Sequence, residues 1–251
     1  MELCIFNKIE DDLCIKGILE KDNVIVLRNI IEFSETEGVT SSAIKEYVAT
    51  RLANDDNILS RLAQAGKFIG DDLYRLAKFD IEQIYKKLFS TQIKYAPSGN
   101  PIGFSNGYVA SIRAITESKS AQELLDLLIE HYRKFGSGIL AKYNAFRYDG
   151  ELIGVSNTDD ITFDSLVGIE YQKQVLIDNT KAFVSGKAAN NVLLFGDRGT
   201  GKSSSVKALL NMFCDDGLRI IEMPKHCIKD IPSLSKVLAE SPNKYIIFLD
   251  D

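Results

Sequence analysis

Residues 196–203 read Gly-Asp-Arg-Gly-Thr-Gly-Lys-Ser and match the pattern G-x-x-x-x-G-K-[ST] at every position. The chemistry such a string can do is to hold a polyphosphate. Its glycines let the backbone curl until the N–H groups converge on the anion, starting at Gly196. Amides of Arg198, Gly199, Thr200, Gly201, Lys202, Ser203 and Ser204 would form the cradle. The Lys202 ammonium can reach the outer phosphates, and the Ser203 hydroxyl can ligate Mg²⁺. The Arg198 side chain could touch phosphate or simply be solvated.

Strand, loop and helix are the elements that must position these groups. Asn191-Val192-Leu193-Leu194-Phe195 is a short, nearly all-apolar run, as a central parallel strand covered on both faces requires. Downstream, Val206, Leu209, Leu210 and Phe213 recur at helical spacing and predict a helix that opens at the Lys-Ser pair. Its N-terminus, with orphan amides and the positive end of the dipole, favours a bound anion. A glycine-rich surface turn would share the string but not these flanks. Near the end of the chain, Lys244 to Leu249 form a β-branched and aromatic run that leads into Asp250 and Asp251. Two carboxylates at a strand's carboxyl end suit metal-phosphate chemistry. Asp250 is the expected Mg²⁺ holder with Ser203, and Asp251 the residue expected to orient water.

The chain has 251 residues, a net charge of −5, 45% hydrophobic and 26% charged residues, ordinary values for a soluble globular protein of one or two domains. An acidic balance without a basic block disfavours a nucleic-acid surface as the partner. Arg133-Lys134 and Lys86-Lys87 fall on helical patterns and are expected on solvated faces. The four cysteines make no C-x-x-C pair, and the adjacent His226 and Cys227 are poorly placed to chelate, so reduced thiols are the expectation. No signal peptide and no apolar run of membrane-spanning length are visible, so the chain reads as cytoplasmic, with no membrane partner.

The expected fold class is α/β: a P-loop NTPase parallel sheet with flanking helices over 161–251, preceded by a mainly helical domain over 1–160. Within the latter, Leu73, Leu76, Ala77, Ile81, Ile84 and Leu88 form one stripe. A second helix opens at Ser120 with a capping box through Glu123 and carries Leu124, Leu125, Leu127, Leu128 and Tyr132 before stopping at Gly136. Between them Pro97 to Gly103 reads as a loop. Phe146 to Ile153 predicts a hairpin around Asp149-Gly150, and Asn157 to Asp160 a domain boundary. Beyond it come a helix to about Ser185, a strand at Leu218–Met223 and a short helix with Leu234, Val237 and Leu238. Alternation of strands and helices gives a parallel sheet with its ligand site at the carboxyl ends of the strands.

On these residues the chain resembles AAA-type P-loop ATPases. Lys244–Asp250 resembles their Walker B element, and Leu166-Val167-Gly168-Ile169-Glu170 resembles their adenine-contacting segment, with Leu166 and Val167 as the contacts. Ala189–Leu194, Gly199–Ser204, Gly217–Glu222 and the Asp-Asp ending resemble an uncharacterised bacterial ATPase family, domain of unknown function 815. The resemblance covers roughly Phe146 to Asp251. It implies ATP and Mg²⁺ as ligands, ADP as product, ring assembly of the full-length protein, and coupling of nucleotide state to a protein or other macromolecular partner that it does not name. An AAA-type core continues past the Walker B strand with another strand beside it, an arginine finger and a lid. The expectation is therefore a piece of a longer protein whose sheet has a gap, binding nucleotide weakly and turning it over barely. Aspartate at 251, where hydrolytic ATPases usually carry glutamate, keeps open a nucleotide-gated interaction module with little hydrolysis. A small-molecule kinase would use the same loop. A GTPase is least supported, because no Asn-Lys-x-Asp string is present.

Overall fold

The computed structural model describes residues 2–38, 42–89, 104–156 and 158–250, with Asp250 as backbone only. The chain divides into two compact units, 1–142 with 240–242, and 143–239 with 243–251.

The first unit is helical throughout its described residues. Its helices are α1 (Asn7–Asp11), α2 (Leu13–Glu20), α3 (Asn23–Glu37), α4 (Ala43–Ala53), α5 (Ile58–Gln64), α6 (Asp71–Ile84), α7 (Asn106–Thr116), α8 (Ala121–Phe135) and α9 (Gly138–Lys142). A π-helical turn, Tyr85–Phe89, extends α6. Side-chain carboxylates and an amide start several of them. Asp12 and Asp22 accept from the first amides of α2 and α3, and Asn57 and Ser60 cap α5 reciprocally.

One core joins these helices. Ala77, Ile81, Ile84 and Leu88 bury the α6 stripe and Leu124, Leu125, Leu128 and Tyr132 that of α8, whereas Leu76 lies exposed at the stripe's margin. Ser120 caps α8 as expected, through the Glu123 amide. Glu123, however, accepts from the Lys119 amide and not from that of Ser120, so only half of the expected box forms. Asp80 is fully buried, and its carboxylate accepts from the amides of Cys4, Ile5 and Phe6. A buried carboxylate needs such donors. The pairs Arg133-Lys134 and Lys86-Lys87 are exposed. The Pro97–Gly103 loop expectation falls outside the described residues.

The second unit is α/β. It contains β1 (Ala145–Tyr148), β2 (Leu152–Val155), α10 (Glu170–Val184), α11 (Lys202–Phe213), β3 (Leu218–Pro224), α12 (Ile231–Leu238) and β4 (Lys244–Asp250). The hairpin forms around Asp149 and Gly150, with Tyr148 opposite Leu152. The sheet is mixed, in the order β2-β1-β3-β4, not all parallel as expected. The hairpin accounts for the difference: β1 runs parallel to β3 and brings antiparallel β2 with it to the sheet's edge. It thus groups with the α/β unit, although it was expected within residues 1–160.

Strand β3 is flanked by β1 and β4 and is buried almost continuously from Leu218 to Met223. Even Arg219 is 1% exposed there; its Nη1 donates to the carbonyls of Cys214 and Leu218. In α12, Leu234 and Leu238 are buried but Val237 faces solvent. The four cysteines are free thiols. Among the described residues no helix is long and apolar enough to cross a membrane.

Candidate phosphate-binding site

The loop 196–201 feeds directly into α11, whose apolar stripe (Val206, Leu209, Leu210, Phe213) is buried as the spacing predicts. At Gly196 the backbone has φ 147°, and a Cβ there would meet the Thr200 hydroxyl at 3.2 Å. Gly201 is the N-cap of α11 in the left-handed region (φ 83°), where a side chain would be strained. It offers no side chain to cap the helix. The first turn of any helix has amides without intrahelical acceptors, a feature that suits an anion.

Contacts within the loop hold its shape. The Thr200 hydroxyl donates to the Asp197 carbonyl (2.8 Å), and the Ser205 hydroxyl donates to that of Gly201 (2.8 Å). Lys202 Nζ folds back over the loop and donates to the carbonyls of Gly196 and Asp197, both at 2.8 Å. Arg198 and Gly199 lie exposed at the tip, and Ser203 and Ser204 are half-buried in the first turn of α11.

Leu166 and Val167 part company. The Leu166 side chain packs beside the loop, 3.7 Å from where a Gly201 Cβ would be, and joins the core around Leu209. Val167 is 87% exposed. Glu170 accepts from the Gly168 amide (3.2 Å), and backbone amides, its own first, hold its carboxyl below the usual range.

The predicted strand 191–195 is a correction. It belongs to no strand, with Leu193 85% and Phe195 89% exposed. A strand exists through inter-strand hydrogen bonds, and the described sheet ends at β4 without reaching this segment. Only Leu194 is anchored, packing against the clusters around Leu209 and Leu210.

Strand β4 carries Asp250 at its carboxyl end, in register with Pro224. Asp251 lies outside the described residues. A cleft of about 300 Å³ brings Ser203, Val206, Lys207 and Leu210 of α11 together with Phe146, Ile220, Glu222 and Phe248 of the sheet. The hydroxyl at the loop and the strand bearing Asp250 thus border the same space. One further tie has no signal in the local pattern: Lys207 pairs with Asp159, and the Asn211 amide donates to the carbonyls of Asp159 and Ile161. These contacts bind the segment around Asp159 to α11, with Asp159 and Lys207 at the cleft.

Residues 141–251 match the family model described as "Protein of unknown function (DUF815)". Over 261 aligned positions the chain is 23% identical to the AAA-ATPase ASD, mitochondrial, of Arabidopsis thaliana. That alignment takes in 88% of this chain and 48% of the relative, so the chain spans about half the length of the curated protein it matches. No solved structure matches.

Proposed function

We propose that this chain is an ATP-binding protein of AAA type that uses Mg²⁺ and couples nucleotide state to a macromolecular partner. The observation that carries the reading is the loop itself. Its backbone is already curled into a cradle at the uncapped start of α11, and the Lys202 ammonium spans the cradle through the Gly196 and Asp197 carbonyls.

The residues fit the ligand. The curled glycine backbone leaves room where a Cβ at Gly196 would crowd Thr200. In this reading Lys202 exchanges two neutral carbonyl partners for phosphate oxygens, a stronger, charge-assisted contact. Amides of Arg198 to Ser204 hold the phosphates, and Leu166 borders the loop on the base side. Ser203 and Asp250 hold Mg²⁺, which supplies charge neutralisation of the β- and γ-phosphates. Asp251 orients water. Its side chain is one methylene shorter than glutamate, which favours a second reading in which binding switches a partner with little turnover.

Metal dependence tests the assignment. Binding of a fluorescent ATP analogue should strengthen when Mg²⁺ is added. Ser203→Ala and Asp250→Asn should each remove most of that gain while leaving metal-free binding near its starting value. A gain that survives both substitutions would contradict the assigned metal site.

A further inference from the structure

We propose that Asp149, His226 and Cys227 form a second metal site, for a borderline-soft divalent transition metal, zinc(II) by its ligand chemistry. It is separate from the nucleotide's Mg²⁺. The parallel register of β1 on β3 sets Arg147 opposite Glu222, which carries the turn after Tyr148 alongside the chain leaving β3. There a 3-10 helix, Lys225–Asp230, presents His226 and Cys227. Asp149, from the hairpin turn, is the third donor that the sequence spacing could not show.

His226 Nε2 lies 3.0 Å from Asp149 Oδ1, and Cys227 Sγ lies 3.6 Å from the same oxygen. The three ligand atoms all fall within 4.8 Å of one another. Tetrahedral zinc with sulfur, nitrogen and oxygen donors at about 2.0–2.3 Å needs donor separations of about 3.3–3.8 Å, so a closure on the order of 1 Å suffices. Adjacent residues would diverge on an α-helix, but here the two donors converge on an acceptor supplied by another element.

The cluster is lopsided. Cys227 is buried, while His226 and Asp149 face solvent. Three protein donors against a buried floor leave a fourth position open to water. A thiolate, an imidazole and one carboxylate are a donor set for zinc or cobalt and not for Mg²⁺ or Ca²⁺, which take oxygen ligands. On ligation the Cys227 sulfur gives its proton to solvent, and His226 binds through Nε2 as the neutral imidazole. The metal would clip the hairpin turn to the end of β3.

The test is a titration of the metal-free chain with cobalt(II) in the absence of nucleotide, followed by displacement with zinc(II). One cobalt per chain should bind, with a sulfur-to-cobalt charge-transfer band and tetrahedral visible absorption, both bleached by one equivalent of zinc. Cys227→Ser should abolish the charge-transfer band, and Cys214→Ser should leave it intact. Asp149→Asn and His226→Gln alter exposed side chains. Each should weaken cobalt binding by about tenfold or more. Absence of the thiolate band, its survival in Cys227→Ser, or unchanged affinity in both other variants would overturn the site.

Discussion

The two compact units treat their apolar residues in opposite ways. In the helical unit one continuous core gathers both strong stripes, those of α6 and α8, and a buried carboxylate, Asp80, ties down the amides of Cys4, Ile5 and Phe6 just before α1. In the α/β unit the core is broken into small clusters about α11. The run that leads into the glycine-rich loop holds Leu193 and Phe195 in water. The helical unit spends its sequence on packing. The α/β unit carries an exposed glycine-rich loop, steadied by Leu194 before it, Leu166 beside it and the start of a helix after it. Burial should therefore dominate mutational effects in the first unit and ligand binding those in the second.

The sharpest contrast is in stability. Leu128→Ala, at a fully buried position of α8, should cost about 3 kcal/mol in chemical denaturation, by lost transfer energy plus a cavity. A cost below about 1 kcal/mol would deny the helical unit its single packed core.

Acid should also strike the helical unit. His131 is buried against Tyr108 and Phe135, with Nδ1 2.9 Å from the Ser111 hydroxyl, and burial pushes its pKa down to about 3. The folded form is the neutral imidazole, whereas the unfolded chain takes up a proton below about 6.5. Stability from this residue is complete above that value and falls as pH drops toward 3. At about pH 5 the loss is on the order of 2 kcal/mol. Urea unfolding at the two pH values should show it, and His131→Gln should flatten the difference. An equal slope in both proteins would mean that other groups carry it.

The smallest effect belongs to the exposed run. Leu193→Ser should change stability by less than about 0.5 kcal/mol, because the side chain has no packing to lose. A larger loss in thermal unfolding would show that 191–195 packs as a strand in solution, and the comparison of the two units would fail there.

Local pattern made much of this legible. Val206, Leu209, Leu210 and Phe213 announced α11, and Asp149-Gly150 announced the hairpin, because periodicity and turn chemistry act over a few residues. Partners distant in the chain were not legible. Nothing near Phe146 tells that β1 will pair with β3, and so the mixed sheet and the approach of Asp149 to His226 and Cys227 were hidden. Val192 to Phe195 reads as a buried strand for the same reason. Composition states what a segment would do with neighbours, and the described sheet supplies none beside it. For the glycine-rich loop, the string of residue types pointed to positive φ at Gly196, Gly199 and Gly201, but not to the fold of Lys202 onto its own carbonyls.

Equilibrium binding of a fluorescent ATP analogue in the presence of Mg²⁺, compared between the native chain and Lys202→Ala, tests the central claim most directly. Charge-assisted contacts of this kind are worth about 1.5–3 kcal/mol, so affinity should fall by about tenfold to a hundredfold. Unlabelled ATP should displace the analogue better than GTP. Saturable binding that is indifferent to Lys202, in chains folded alike by circular dichroism, would contradict the assignment of this loop as the nucleotide site.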